Sequence, residues 1–509
     1  MARALEIPPG DEHNRTLVSN VHPADWVNPT PEGRYNLVVI GAGTGGLITA
    51  LIASSLGARV ALVERHLMGG DCLNVGCVPS KAVIRASRIA AEARRAGELL
   101  GLPVPADWKP DFGAAMARMR QVRARISHED SAKRYTEEFG IDVYLGEARF
   151  TGEGRVDVEG TELRFKKAVI ATGARAVAPP IPGLAETGHL TNETVFNLTE
   201  RPARLGVIGS GPIGCELAQA FRRLGSEVVL FEKMDQILTR EDRDAAAIVQ
   251  EAFVREGVEL VLGCSLEKVE PKGDEKVIHV ACGGGTQRQV VVNEILVGAG
   301  RAPNVEGLGL ESVGVEYDPR RGVVVDDTLR TTNRRIYAVG DVCMAWKFTH
   351  AADAAAKIVV QNALFFGRKK LSSLVMPWST YTDPEIAHVG RYAHDLEDEG
   401  IAFDTYRVPM ARVDRAITDG EDEGFVKVLT KQGSDRILGA TIVSSHAGEM
   451  ISELTTAIVG GLGLGSFTNV IHPYPTQAEA VKRAAGEYTR TRLTPTARRI
   501  FTTLMRLRR

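Results

Sequence analysis

Apolar residues follow two alternating rhythms along most of this chain. The run YNLVVI leads into Gly41 and reads as a buried parallel strand. GAGTGG then turns the chain, LITALIASSLG continues at helical spacing, and ARVALVE is a second apolar strand. Together they make a β-α-β unit of about thirty residues. The same succession returns from Ala203 to Glu232 in ARLGVIGSGPIGCELAQAFRRLGSEVVLFE. Between the two units, residues 83–132 are rich in Ala and Arg and are expected to be helical. Residues 140–172 alternate in the manner of short antiparallel strands.

Residues 245–299 are expected to complete the second unit with a helix and strands. TTNRRIYAVGD offers a strand ending on an acid, and an alanine-rich helix follows over 350–366. A third region begins near Pro377 with the alternating segments STYTDPEIAHVG, EGFVKVLT and RILGATIV, and ends in helices around 444–460 and 476–488. Residues 1–34 are polar, contain prolines and show no clear period, so only a surface strap is expected there. The tail TARRIFTTLMRLRR is basic and amphipathic. Docking on the body is its favoured reading, and contact with an anionic membrane surface is the other.

Composition narrows the class. In 509 residues, 62 Lys+Arg against 64 Asp+Glu leave a net charge of −2, which gives no argument for a nucleic-acid partner. The hydrophobic fraction of 44% is that of a globular chain and excludes disorder. No apolar run approaches the ~18 residues of a spanning helix, and the N-terminus lacks the apolar core of a signal peptide. A cytoplasmic location is expected. Six cysteines are too few for a disulfide scaffold. The 52 glycines are in excess and point to loops that approach phosphates closely.

Two such loops stand out. Gly41-x-Gly43-x-x-Gly46 follows the first strand, with Ala50 one helical turn on and Glu64 23 positions after Gly41, at the end of the second strand. Glycines at that spacing allow a tight turn, approach of a pyrophosphate to the helix N-terminus, and close helix–strand packing, while the acid accepts a ribose hydroxyl. Gly209-x-Gly211-x-x-Gly214, Ala218 and Glu232 repeat the pattern at identical offsets. Two dinucleotides are expected, most economically FAD and a nicotinamide cofactor. Glu232 favours a free 2′-hydroxyl and so NADH, although Lys233 beside it leaves NADPH open.

Between the first acid and the next helical stretch stands Gly69-Gly70-Asp71-Cys72-Leu73-Asn74-Val75-Gly76-Cys77-Val78-Pro79-Ser80-Lys81. The cysteines lie too far apart round a regular helix to bridge, but a loop at Gly76 would bring them together. Cys77 at a helix start would be driven toward thiolate, with Lys81 one turn on adding positive charge. A redox-active disulfide is the favoured reading; a structural disulfide and a metal pair are the alternatives.

With these motifs, residues 35–490 resemble the class I pyridine nucleotide–disulfide oxidoreductases, the group of dihydrolipoamide dehydrogenase, glutathione reductase and mercuric reductase. Supporting matches are ATGA with Thr172 and Gly173, GRAPN from Gly300 to Asn304, and YAVGD ending at Asp341. The resemblance implies an α/β fold of two Rossmann-like dinucleotide-binding domains plus a C-terminal α+β dimerisation domain. Its boundaries would be an N-terminal extension (1–34), an FAD-binding domain in two parts (35–185 and 300–372), an NAD(P)-binding domain (186–299), a dimerisation domain (373–490) and a basic tail (491–509). It also implies a homodimer whose active site is shared across the interface. FAD would be held by Gly41, Gly43, Gly46, Glu64, Gly70, Lys81, Thr172, Gly173 and Asp341, and NADH or NADPH by Gly209, Gly211, Gly214, Glu232 and Gly300. Electrons would pass from the nicotinamide through the flavin to Cys72 and Cys77, with Lys81 paired to Glu216.

The departure lies near the C-terminus. Disulfide-reducing members carry His-Pro-Thr-x-x-Glu as an acid–base pair; this chain has Tyr474-Pro475-Thr476-Gln477-Ala478-Glu479. An ordinary tyrosine, with a pKa near ~10, is no base at neutral pH. His472 is out of register, and packing at a subunit boundary is the plain alternative for Tyr474. The tyrosine is similar to mercuric reductases, whose soft metal acceptor needs thiolate ligands more than a proton shuttle. Their usual C-terminal cysteine pair is missing, since the last cysteine is Cys343. Hg(II) reduction, with Cys72 and Cys77 as transient metal ligands and no structural metal, is therefore the leading expectation. Reduction of a small disulfide comes second and a slow-turnover redox sensor third. Cys215, Cys264, Cys282 and Cys343 have no partner at metal spacing and are expected to be small buried residues, and His446 to pack at the interface.

Overall fold

The structure, a computed structural model, describes residues 5–509 apart from 103, 106 and 107. It divides into two units, one of Met1–Gly209, Ala220–Phe231 and Cys264–Leu374, the other of Ser210–Gln219, Glu232–Gly263 and Val375–Arg509.

In the first unit, strand Tyr35–Ile40 has one exposed residue in six, as a strand covered on both faces requires. It lies between Val60–Glu64 and Thr161–Ile170 in a seven-stranded sheet and pairs parallel with both. Asp142–Leu145 extends the parallel part on one side, and Ile336–Ala338 pairs parallel with Thr161–Ile170. The all-antiparallel expectation for 140–172 thus fails at both ends. Only Ala148–Gly152, Arg155–Val158 and the start of Thr161–Ile170 pair antiparallel. Burial in Thr161–Ile170 alternates first and then turns continuous, so one strand changes its surroundings half-way along.

The second β-α-β unit sets Arg204–Ile208 parallel to Glu227–Phe231 and Glu294–Val297. An antiparallel sheet of Cys264–Lys272, Glu275–Cys282 and Thr286–Val292 follows, and Cys264 is disulfide-bonded to Cys282. This corrects the expectation that those two cysteines are simply small buried residues. They are 18 residues apart, but the hairpin register sets them directly opposite each other. Cys215 is buried, as expected, and Cys343 is half-buried.

The second unit is built on a five-stranded sheet ordered Pro377–Thr380, Glu385–Gly390, Ile437–Ser444, Phe425–Lys431 and Phe403–Pro409. Helices Ala447–Gly460 and Glu479–Thr491 cover its apolar face. Glu241 joins this sheet through Trp378 Nε1 (2.9 Å) and the Tyr392 hydroxyl (2.6 Å). Among the described residues no helix is long and apolar enough to cross a membrane.

The N-terminal strap contains a helix, Glu12–Val21, capped by the Asp11 side chain. The helix buries Leu17 and Val21, four apart on one face. Ten residues give too few repeats for a period to stand out of a polar background. Its buried Asn14 accepts a hydrogen bond from Arg123 Nη2 at 2.6 Å, and Arg123 Nη1 donates to the Asn74 carbonyl at 2.6 Å. Burial lowers the Arg123 pKa to about 10. The N-terminal helix thus braces the loop between the two motif cysteines. Replacing Asn14→Ala leaves a buried guanidinium short of an acceptor, and we expect a loss of about 2 kcal/mol, measured as a lower denaturation midpoint at unchanged m-value.

Candidate active site

The cysteine motif folds as a broken helix. Gly70–Asn74 makes one short turn carrying Cys72, Val75 ends it, and Gly76 caps a new helix that starts at Cys77 and runs to Leu100. A β-carbon on Gly76 would lie 2.7 Å from the Asp71 carbonyl oxygen, so glycine is what allows the chain to fold back this tightly. The break brings the two thiols within hydrogen-bonding range of each other. The hydrogen bond with Cys77 raises the Cys72 pKa well above the ordinary thiol range, and burial and the Cys77 charge add to the rise. The sulfur of Cys77 also lies 3.3 Å from the Thr349 hydroxyl, which in addition hydrogen-bonds Cys72 and lowers its pKa. A shallow cavity of about 350 Å³ opens at Cys77, and Lys81, Arg85 and Arg118 line it. Lys81 returns to the cysteine's face of the helix, as its spacing requires.

Thr349 was not evident from sequence, because nothing in FTHAAD marks it until the fold carries it across 272 residues. Nor does the sequence mark Asp130, which raises the Cys72 pKa and whose own pKa burial brings up to about 6.

Around the pair, three distant motifs come together. Arg301 of GRAPN bonds the Asp71 carboxylate and the Ala174 carbonyl, and its Nε lies 3.5 Å from the Asp341 carboxylate. Burial raises the Asp341 pKa, against the pull of Arg301. Thr172 and Asn304 exchange hydrogen bonds at 2.7 and 2.9 Å, and the Asn304 amide donates to Gly173. Strands Ala174–Ala176 and Arg301–Pro303 pair antiparallel directly after Gly173 and Gly300.

Both glycine fingerprints fall between a strand and a helix, Tyr35–Ile40 to Thr44–Ser55 and Arg204–Ile208 to Pro212–Arg223. Gly46 permits close packing in the strictest sense, since a β-carbon there would lie 1.8 Å from the Gly41 carbonyl oxygen. Each acid closes its turn in the same way. Glu64 accepts from the Ala42 amide at 2.7 Å and the His66 amide at 2.8 Å; Glu232 accepts from the Ser210 and Met234 amides, both at 3.1 Å. The Ser210 hydroxyl adds a 2.6 Å bond to Glu232. Burial raises the Glu64 pKa. At Glu232 burial acts in the same direction, but the Ser210 hydroxyl and the amides outweigh it and hold the carboxyl below its ordinary value. The middle glycines are not crowded by the described residues, as the approach of a phosphate to the backbone requires. A β-carbon on Gly43 would meet only the Gly70 backbone at 3.7 Å, and one on Gly211 nothing within 4 Å.

The C-terminal candidates share a unit. Tyr474 is 72% exposed and donates its hydroxyl to Asp414 at 2.9 Å, which raises its pKa and keeps it a neutral phenol. Glu479 accepts from Arg483 at 3.2 Å, and its Oε2 is buried without a hydrogen bond among the described residues. His472 gives Nε2 to Glu453 at 2.9 Å. Glu216 accepts from the Tyr381 amide at 3.0 Å.

Two dinucleotide turns and a paired dithiol define a flavoprotein that exchanges electrons between a nicotinamide and sulfur. The chain belongs to the pyridine nucleotide-disulphide oxidoreductase family, whose model matches residues 35–356, while the family's dimerisation domain matches 376–485. It is similar to the mercuric reductase of Staphylococcus aureus, 35% identical over 482 residues, 94% of this chain and 85% of the relative. The dihydrolipoyl dehydrogenase of Thermus scotoductus is 34% identical over 454 residues, 89% of this chain and 96% of the relative. Among solved structures, the HOCl-induced flavoprotein disulfide reductase RclA from Escherichia coli superposes with a TM-score of 0.80 at 28% identity, covering 89% of this chain and 99% of its own. The protein is an FAD-dependent, NAD(P)H-using flavoprotein disulfide oxidoreductase, and the match to the dimerisation domain supports a homodimer.

The Thr349 hydroxyl hydrogen-bonds both sulfurs and lowers the Cys72 pKa, so Thr349→Val is expected to move the alkylation profile of the pair to higher pH. The pH dependence of iodoacetamide alkylation in the reduced enzyme, resolved by peptide mapping, measures this; an unshifted profile excludes the role.

Proposed function

We propose that the acceptor of this reductase is a soft electrophile, Hg(II) foremost. The observation that carries the reading is the mutually hydrogen-bonded dithiol at Cys72 and Cys77, combined with a neutral tyrosine at position 474. When bound, FAD relays two electrons from the nicotinamide to the cysteine disulfide. Gly41, Gly43, Gly46, Gly70, Glu64, Thr172, Gly173 and Asp341 are assigned to holding it, and Gly209, Gly211, Gly214, Glu232 and Gly300 to the nicotinamide nucleotide. Cys77 is the thiolate, held at a helix start beside Thr349 with Lys81 one turn away. Cys72 is the sulfur that meets the acceptor. When the Cys72 thiol and the Cys77 thiolate close to a disulfide they give up two electrons and one proton; Hg(II) takes both electrons and becomes Hg(0), and soft thiolate ligands suit such a soft metal ion. The mercuric reductases among the relatives support this, and RclA, which has also been solved as a Cu(II) complex, extends the support to other soft or borderline metals.

Reduction of a small disulfide is the second reading. It is favoured by dihydrolipoyl dehydrogenases of nearly equal identity and by the His472–Glu453 pair, which supplies an imidazole and a carboxylate in contact. Against it, the His472 side chain is only 6% exposed and both of its ring nitrogens face protein acceptors.

Steady-state NADH oxidation with Hg(II), lipoamide, glutathione disulfide and quinones is expected to favour Hg(II); robust lipoamide turnover would overturn that choice. Cys72→Ala should bind FAD and accept electrons from NADH normally yet lose acceptor turnover by at least ~100-fold. Glu232 also predicts a kcat/KM for NADH about tenfold above that for NADPH, and equal values would remove the argument for NADH.

A further inference from the structure

Residues 495–507 form a helix that no part of the cofactor or thiol chemistry uses. Thr494 caps it by accepting from the Ala497 amide, and Pro495 occupies its first turn, so it starts without help from neighbours. Not one of its residues is buried. The expectation that it docks on the body is therefore not met, and Ile500, Phe501, Leu504, Met505 and Leu507 are all exposed, Leu507 to 81%. At 3.6 residues per turn these five side chains fall within an arc of about 160°, and Arg498, Arg499, Thr502, Thr503 and Arg506 fill the opposite face. From Tyr488 to Arg509 there are seven arginines and no Asp, Glu or Lys, in a chain whose net charge is −2.

We propose that this helix seats the enzyme on anionic phospholipid bilayers. The charge distribution selects that occupant. Arg498 borders the apolar face, where its stem can follow the acyl boundary, and Arg499 and Arg506 on the polar face turn their guanidinium groups to phosphates. Thirteen residues span about 20 Å as a helix, too short to cross the hydrocarbon core, so it lies in the plane of the interface. The family's dimerisation domain ends at residue 485, which places the helix outside the subunit-contact module its relatives share. The proposal does not depend on the identity of the electron acceptor.

Co-sedimentation of the full-length, FAD-loaded protein with vesicles of phosphatidylcholine alone, or of phosphatidylcholine with phosphatidylglycerol, tests it. Binding is expected to the anionic vesicles only, and to weaken as salt rises. Truncation after Leu493, the double substitution Phe501→Ser with Leu504→Ser, and Arg498→Gln with Arg499→Gln should each lower the bound fraction about tenfold or more, with flavin content and soluble turnover unchanged. Failure of the wild type to bind, equal binding to neutral vesicles, or full binding by the truncated protein would overturn the proposal. So would a serine variant that breaks the dimer in analytical ultracentrifugation, because the helix would then be a subunit contact.

Discussion

The constraint on which the site depends is the close approach of two sulfurs from residues five apart in sequence. No continuous helix provides it. The chain stops one helix at Asn74, folds back over Gly76 where only a hydrogen atom fits, and starts another at Cys77. This single break sets the proton between the thiols, directs Cys77 toward a helix N-terminus, and places Lys81 one turn above it. The surroundings then fix the break. Arg123 holds the Asn74 carbonyl from one side, Arg301 holds Asp71, and Thr349 reaches the sulfurs.

The two dinucleotide turns express one piece of physics used twice. In each, the acid at the end of the second strand takes the amide of the residue after the first glycine and the amide two residues beyond itself. The carboxylate thus stiffens the turn that has to present amides to a phosphate. The copies differ in electrostatics. Glu64 is raised by burial, whereas Glu232 is held ionised by the Ser210 hydroxyl and its amides. The preference proposed for NADH rests on that lowered carboxyl at Glu232.

Much of this was legible because it depends on short-range pattern. Strand–turn–helix order, glycine offsets and the spacing of Cys77 from Lys81 are local, and each appears where the sequence places it. What the sequence hides is long-range pairing. Thr349 meets Cys77 across 272 residues, and Cys264 meets Cys282 only because a hairpin register sets them opposite. The N-terminal helix escaped notice for a different reason. Its ten residues bury Leu17 and Val21 while a polar residue, Asn14, anchors it through Arg123, so no apolar stripe announces it. The tail's amphipathic pattern is local and legible, whereas whether a neighbour covers its apolar face depends on long-range packing.

If Cys72 and Cys77 carry the electrons, a count of their thiols before and after reduction will show it. The oxidised holoenzyme would be mixed anaerobically with excess NADH, quenched with an alkylating reagent and mapped by peptide mass. One pair of thiols per subunit, Cys72 and Cys77, is expected to become alkylated only after NADH is added. Reduction of the flavin with no new alkylation at either cysteine would contradict it.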